Sequence, residues 1–186
     1  MKKMTAVDKK LLKELNGQIK TLQVELVQAN KLEGKDPYIE VKVKKNQARF
    51  LRIKQKGVAD RAIGKFYIEI NITAEQTEVF VPLSIASGKK VAGFMYQIEG
   101  TAEGEIETAN VRVRGGGVSQ VTVGTLLYAR IPAGKTGSFE IRAEIRGSFA
   151  KVYKIVFTRL NYKLNLTDAR YQQYLKEIHS ESVTFS

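Results

Sequence analysis

The sequence contains no cysteine, which excludes disulfides, thiolate metal ligands and a cysteine nucleophile. Its single histidine, His179, lies near the C-terminus, and its only aspartates, Asp8, Asp36, Asp60 and Asp168, are scattered. No zinc-ligand spacing, EF-hand loop or Asp-x-Asp cluster occurs. Ser84, Ser87 and Ser138 have no histidine placed to activate them, so a hydrolase triad is unsupported. The run Gly115-Gly116-Gly117 lacks the Gly-Lys-Ser/Thr ending of a phosphate loop and reads as a hairpin turn. No catalytic site, cofactor, metal or small-molecule substrate is therefore expected. His179 is read as a surface residue near a helix C-terminus.

Long apolar runs are also missing. None approaches the roughly 20 residues that span a bilayer. The start, Met1 to Asp8, has the basic beginning of an export signal without its apolar core. That fits either a protein kept inside a cell or virion or a mature fragment restarted with methionine.

What the chain has in excess is positive charge, a formal net of +12 over 186 residues. Such a balance favours polyanionic partners: nucleic acid, anionic cell-wall polymers or lipid headgroups. The charge is unevenly placed. Lys42, Lys44, Lys45, Arg49, Arg52, Lys54 and Lys56 follow one another with no acidic residue between Val41 and Lys56. Glu99, Glu103, Glu105 and Glu107 form the opposite patch. Phe50 shares a strand face with Arg52, Lys54 and Lys56, an arrangement that can hold single-stranded nucleic acid.

Leu12, Leu15, Ile19, Leu22, Leu26 and Ala29 step alternately by three and four, the seam of a coiled-coil-like helix. Thr5 and Asp8 form a plausible capping box, and Gly34 with Pro37 supplies the stop. Val24 and Val27 lie off the seam, which suggests a second apolar contact: the helix either sits between its own sheet and a partner's helix or only covers the open face of its own sandwich. Residues 1–34 are predicted as this helix, and 35–186 as an all-β body. Three heptads are marginal for an isolated coiled coil.

From Tyr38 the pattern changes to period two, predicting strands near 38–45, 47–56, 64–73, 77–85, 90–99, 105–114, 119–131, 137–147 and 151–162. In the clearest, Phe139, Ile141, Ala143 and Ile145 point inward while Glu140, Arg142, Glu144 and Arg146 form a solvated outer face. Lys151 to Tyr162 is apolar on both faces, as a central strand would be. Pro82 marks its strand as an edge or a bulge. Residues 166–178 are predicted as a short helix capped by Thr167 or Asp168, with Tyr171, Tyr174, Leu175 and Ile178 on its apolar face. A last strand over 183–185 would pair with a sheet edge.

The run from Tyr128 to Ile145, turning at Ile131-Pro132-Ala133-Gly134, resembles a unit of immunoglobulin-like domains from bacterial surface proteins, including S-layer and wall-associated ones. Phe157 to Tyr162 fits their closing strand, so the resemblance covers residues 79–162. It implies an extracytoplasmic, non-enzymatic stalk, lattice or adhesive module. The expected fold is mainly β, an antiparallel sandwich of immunoglobulin-like or jelly-roll type with an N-terminal helix and a short C-terminal one. The expected role is a self-associating structural subunit of a bacterial surface or filament. A virion structural protein and a nucleic-acid-binding module using the basic strands 41–56 are the alternatives. Leu12, Leu15, Ile19, Leu22 and Leu26 would join copies. Lys42, Lys44, Arg49, Phe50, Arg52, Lys54 and Lys56 would meet a polyanion or the acidic patch of a neighbour.

Overall fold

A computed structural model of the chain describes residues 11–22, 36–55, 58–84, 90–100, 106–114 and 118–186. The chain divides into two units, Met1–Pro37 and Tyr38–Ser186. In the first, residues 11–22 are helical, and every one of them is exposed. Leu26 and Ala29 lie outside the described residues, as do Val24, Val27, Gly34 and the proposed cap at Thr5 and Asp8.

The second unit is built from antiparallel strands. β1 (Ile39–Gln55) and β2 (Val58–Ala74) form a long hairpin, paired from Ile39↔Ala74 to Gln55↔Val58. β9 (Thr136–Gly147) lies against β2, and β6 (Ile106–Arg114) lies against β9. This gives a four-stranded sheet in the order β1-β2-β9-β6. Strand period two segregates its faces. Phe66, Ile68, Ile70 and Ile72 of β2 and Phe139, Ile141, Ala143 and Ile145 of β9 are all buried on one side.

A second sheet is centred on β10 (Val152–Tyr162), which pairs with β5 (Phe94–Glu99), itself joined to β4 (Lys90–Val91). Phe94 meets Phe139 of the first sheet at 6.0 Å between ring centres and Phe157 of its own sheet at 5.7 Å. Edge-to-face rings at such distances add to the area they bury. A third, small sheet has β8 (Leu126–Ile131) between β3 (Val79–Pro82) and β7 (Ser119–Val123). Pro82 is the last residue of β3, at the edge of that sheet, where a missing donor costs least. Pro132-Ala133-Gly134 carries the chain from β8 into β9, that is, from the small sheet to the four-stranded one. Gly134 sits there at φ +68°, and its amide donates to the Ala74 carbonyl.

Four expectations change. The run predicted as one strand over 119–131 is the hairpin of β7 and β8, and that over 90–99 is β4 turned back on β5. The strands predicted over 38–45 and 47–56 are one strand, β1, with a bulge. Val43 faces Ile70 and Lys45 faces Glu69, so Lys44 is the extra residue. The residues predicted as a C-terminal helix over 166–178 are instead turns followed by short strands. The Asn165 side-chain oxygen accepts from the Thr167 amide at 3.0 Å, and the Asp168 carboxylate accepts from the Arg170 amide at 2.9 Å. Both are local turns of the kind that compete with helix caps. Beyond them β11 (Gln172–Tyr174), β12 (Ile178–His179) and β13 (Val183–Thr184) run in succession along β10. Tyr174 is buried, while Leu175 on the expected apolar face is exposed.

That C-terminal segment ends in an anchor. The Phe185 ring is buried 4.3 Å from Tyr153 and 5.2 Å from Phe50, and its amide and carbonyl bond to Lys151 and Ala150. A Cβ on Gly64 would come within 2.8 Å of the same ring. Replacing Phe185 by alanine should cost about 3–5 kcal/mol of unfolding free energy in urea titration. Gly64→Ala should be destabilising by itself and less so in the Phe185→Ala background, a coupling that a double-mutant cycle measures.

Candidate functional site

Three surfaces are candidates for a functional site. The first is the helix over 11–22. Leu12, Leu15, Ile19 and Leu22 are 53%, 56%, 45% and 62% exposed, and Leu11 beside them is 67% exposed. Apolar side chains this exposed at heptad spacing are unusual on a surface that stays wet.

The second is the basic stretch, which the hairpin divides. Lys42, Lys45 and Arg49 lie on the outer face of the four-stranded sheet, while Arg52 has the parity of the inner side. Lys54 falls within a second irregularity, between Ile53 and Gln55, and Lys56 lies outside the described residues. Phe50 shares its strand face with Arg52, as expected, but its ring is packed on other rings rather than standing open beside the cations. It is half-buried on the core side, 6.3 Å from Phe149 and packed on Phe185. Its strand parity follows from the bulge at Lys44, which shifts every later residue to the opposite face. Arg52 lies over the Phe149 ring at 5.0 Å.

Of the acidic patch, Glu99 and Glu107 are described. Glu99 is on β5, ion-paired with Lys154 at 2.8 Å. Glu107 is on β6, opposite Ile145 on the inner side and half-buried, so it does not belong to a solvated strand face. Glu103 and Glu105 lie outside the described residues. His179 is on β12 rather than after a helix, so the helix-dipole reading falls. It is exposed, 3.6 Å from Glu177.

The third surface is the outer face of the four-stranded sheet, which sequence order does not reveal. Its register sets side chains in rows. Lys45, Glu69, Glu140 and Arg112 form one row, Gln47, Tyr67, Arg142 and Asn110 the next, and Arg49, Lys65, Glu144 and Thr108 the third. The last two rows line an open groove of about 710 Å³. Its charges are held in place. The Lys44 ammonium and the Ser138 hydroxyl donate to Glu69 at 2.9 and 2.8 Å. Those bonds, from Lys44 first, hold the Glu69 carboxyl below the usual carboxylate range, and the same contact raises Lys44. Lys65 lies 3.6 Å from Glu144, and Arg142 lies 3.6 Å from Glu140. Glu140 is buried, not solvated as the alternation suggests, because strands cover it on both sides. The Tyr67 ring has the Lys45 ammonium at 5.4 Å and the Arg142 guanidinium at 5.7 Å over it.

Among the described residues no group of three or more His, Asp or Glu side chains could hold a metal. No described helix is long and apolar enough to cross a membrane. No protein family, curated protein or solved structure matches this chain.

A polar cluster fastens the first half of the C-terminal segment. The Tyr128 and Tyr171 hydroxyls are 3.2 Å apart, and the buried Lys163 ammonium lies over both rings and donates to the Asp168 carbonyl. Burial first, then the Tyr171 hydroxyl, pushes the Tyr128 phenol up to about 12. An unfolded tyrosine ionises near about 10. Between those values the folded chain holds a proton that the unfolded chain has lost, so stability falls as pH rises through this window. Urea titrations across it should show a shallower decline for Tyr128→Phe than for the parent chain.

Proposed function

We propose that this chain is a non-catalytic structural subunit whose copies join through the N-terminal helix, on a body that is a β-sandwich of immunoglobulin-like or jelly-roll type. The observation that carries this reading is the exposed seam of Leu12, Leu15, Ile19 and Leu22. Each side chain is about half covered already, so burying the remainder contributes of the order of 1 kcal/mol. Four in each of two copies contribute roughly 8 kcal/mol, against about 4–15 kcal/mol lost on association. The seam alone is therefore marginal. It needs more of the heptad ladder or charged contacts that orient the copies.

A bacterial surface or filament setting follows from the likeness of the Tyr128–Ile145 run to units of such domains. A virion subunit would use the same helix in the same way. The nucleic-acid reading is less favoured, because Phe50, its intended stacking platform, packs against Phe149 and Phe185.

Light scattering on the full chain tests this reading. The parent should run above monomer mass, and changing Ile19 and Leu22 together to aspartate should return it to monomer. A parent that stays monomeric at high concentration overturns the proposal, as does a double variant of unchanged mass.

A further inference from the structure

The groove on the outer face of the four-stranded sheet has a definite chemistry. Across it, Gln47, Tyr67, Arg142 and Asn110 stand in one row and Arg49, Lys65, Glu144 and Thr108 in the next. Its apolar lining comes from Ala48, Phe66 and Ala143, which have the parity of the core side, and from the Tyr67 ring on the outer face. Its volume of about 710 Å³ is that of a ligand site, and it lies open along the sheet, suited to a chain passing through.

Two amides and a hydroxyl, in Gln47, Asn110 and Thr108, can both donate and accept hydrogen bonds. Arg49, Arg142 and Lys65 only donate, and the Glu144 carboxylate only accepts. A ligand that satisfies this set must itself donate and accept at several points and carry some negative charge. Sugar hydroxyls meet the first demand, and carboxylates meet the second through two-pronged bonds to guanidinium.

Two observations disfavour a single-stranded nucleic acid in the same place. Binding of that kind relies on aromatic faces open to bases. Here the Tyr67 ring already has Lys45 and Arg142 over it. A phosphate backbone crossing the rows would also pass Glu144, with Glu69 and Glu140 beside the groove. A lipid or an apolar peptide face would leave the charged side chains of both signs that stand among the apolar lining without partners.

We propose that this groove binds an acidic glycan, an extended hydroxylated sugar chain bearing carboxylates. Arg49 and Arg142 take the carboxylates, while Asn110, Gln47, Thr108 and Glu144 take the hydroxyls. The assignment goes beyond self-association and stands whether or not the helix joins copies.

Affinity electrophoresis of the full chain in gels containing polygalacturonate tests it, with dextran as neutral polymer and oligo-dT as nucleic acid. Polygalacturonate should retard the chain, dextran should not, and oligo-dT should bind more weakly. Asn110→Ala and Arg142→Gln should each weaken polygalacturonate binding about tenfold or more, a difference of about 1.4 kcal/mol. If Arg142→Gln loses its circular-dichroism melt, Asn110→Ala, an exposed change at the sheet edge, carries the test. No retardation by polygalacturonate overturns the proposal. So does equal retardation by dextran, tighter binding of oligo-dT, or retardation unaltered in a folded variant.

Discussion

A strand with a buried apolar face and hydrogen bonds along only one edge leaves its other backbone edge unpaired, and β10 is such a strand until the C-terminal segment covers it. Tyr153, Ile155, Val156, Phe157, Leu160 and Tyr162 are all buried, and β5 satisfies only one side of the ladder. The other side presents backbone donors and acceptors that would otherwise pair with any passing chain. β11, β12 and β13 meet that demand in three short steps, from Tyr162↔Gln172 to Val152↔Thr184. The same segment reaches the first sheet. The Asn46 amide donates to the His179 carbonyl at 3.0 Å, the Glu181 amide donates back to Asn46 at 2.9 Å, and Phe185 lies on Phe50. The last residues of the chain thus tie β1 to β10, and with them one sheet to the other.

This explains which parts of the fold were legible in the sequence. Strands that bury one face announce themselves by alternation, and Phe139 to Arg146 is the plainest case. β10 was legible as an apolar run, but not as a strand apolar on both faces: a shift in register between Phe157 and Arg159 gathers Tyr153, Ile155, Phe157, Leu160 and Tyr162 on one face and leaves Lys154 and Arg159 on the other. The C-terminal segment was not. Tyr171, Tyr174, Leu175 and Ile178 fall at helical spacing, and Thr167 with Asp168 resembles a cap. Local signals of that kind decide structure only when no long-range partner competes. Here the open edge of β10 competes, and a strand that satisfies it gains ladder hydrogen bonds along with burial of Tyr174 and Phe185. The side chains expected to cap a helix serve tight turns that aim the chain along β10.

The bulge at Lys44 is a second case, half read. Val41 and Val43 have inner parity before it, and Ala48 and Phe50 have inner parity after it. The sequence carries that slip in phase within a single bulged strand. The consequence for function is larger than for fold. It turns Phe50 inward and sets Lys45, Gln47 and Arg49 outward over the groove. The groove itself was invisible in the sequence, because Gln47, Tyr67, Asn110 and Arg142 come from four strands far apart along the chain. Only the sheet's register sets them in one row.

The same bulge bears on how copies could meet. β1 is the outermost strand of its sheet and, at seventeen residues, a long template for pairing with a neighbour. Its exposed length carries Lys42, Lys44, Lys45, Arg49 and Lys54, and two of these, Lys44 and Lys54, fall at breaks in the register. Lysines and bulges on an edge discourage strand-to-strand association, by charge and by local twist. An assembly built by adding strands to β1 would stack these cations on one another. The exposed leucines of the helix carry no such penalty. Of the two routes to self-association, the helix is therefore the one that this charge distribution does not oppose.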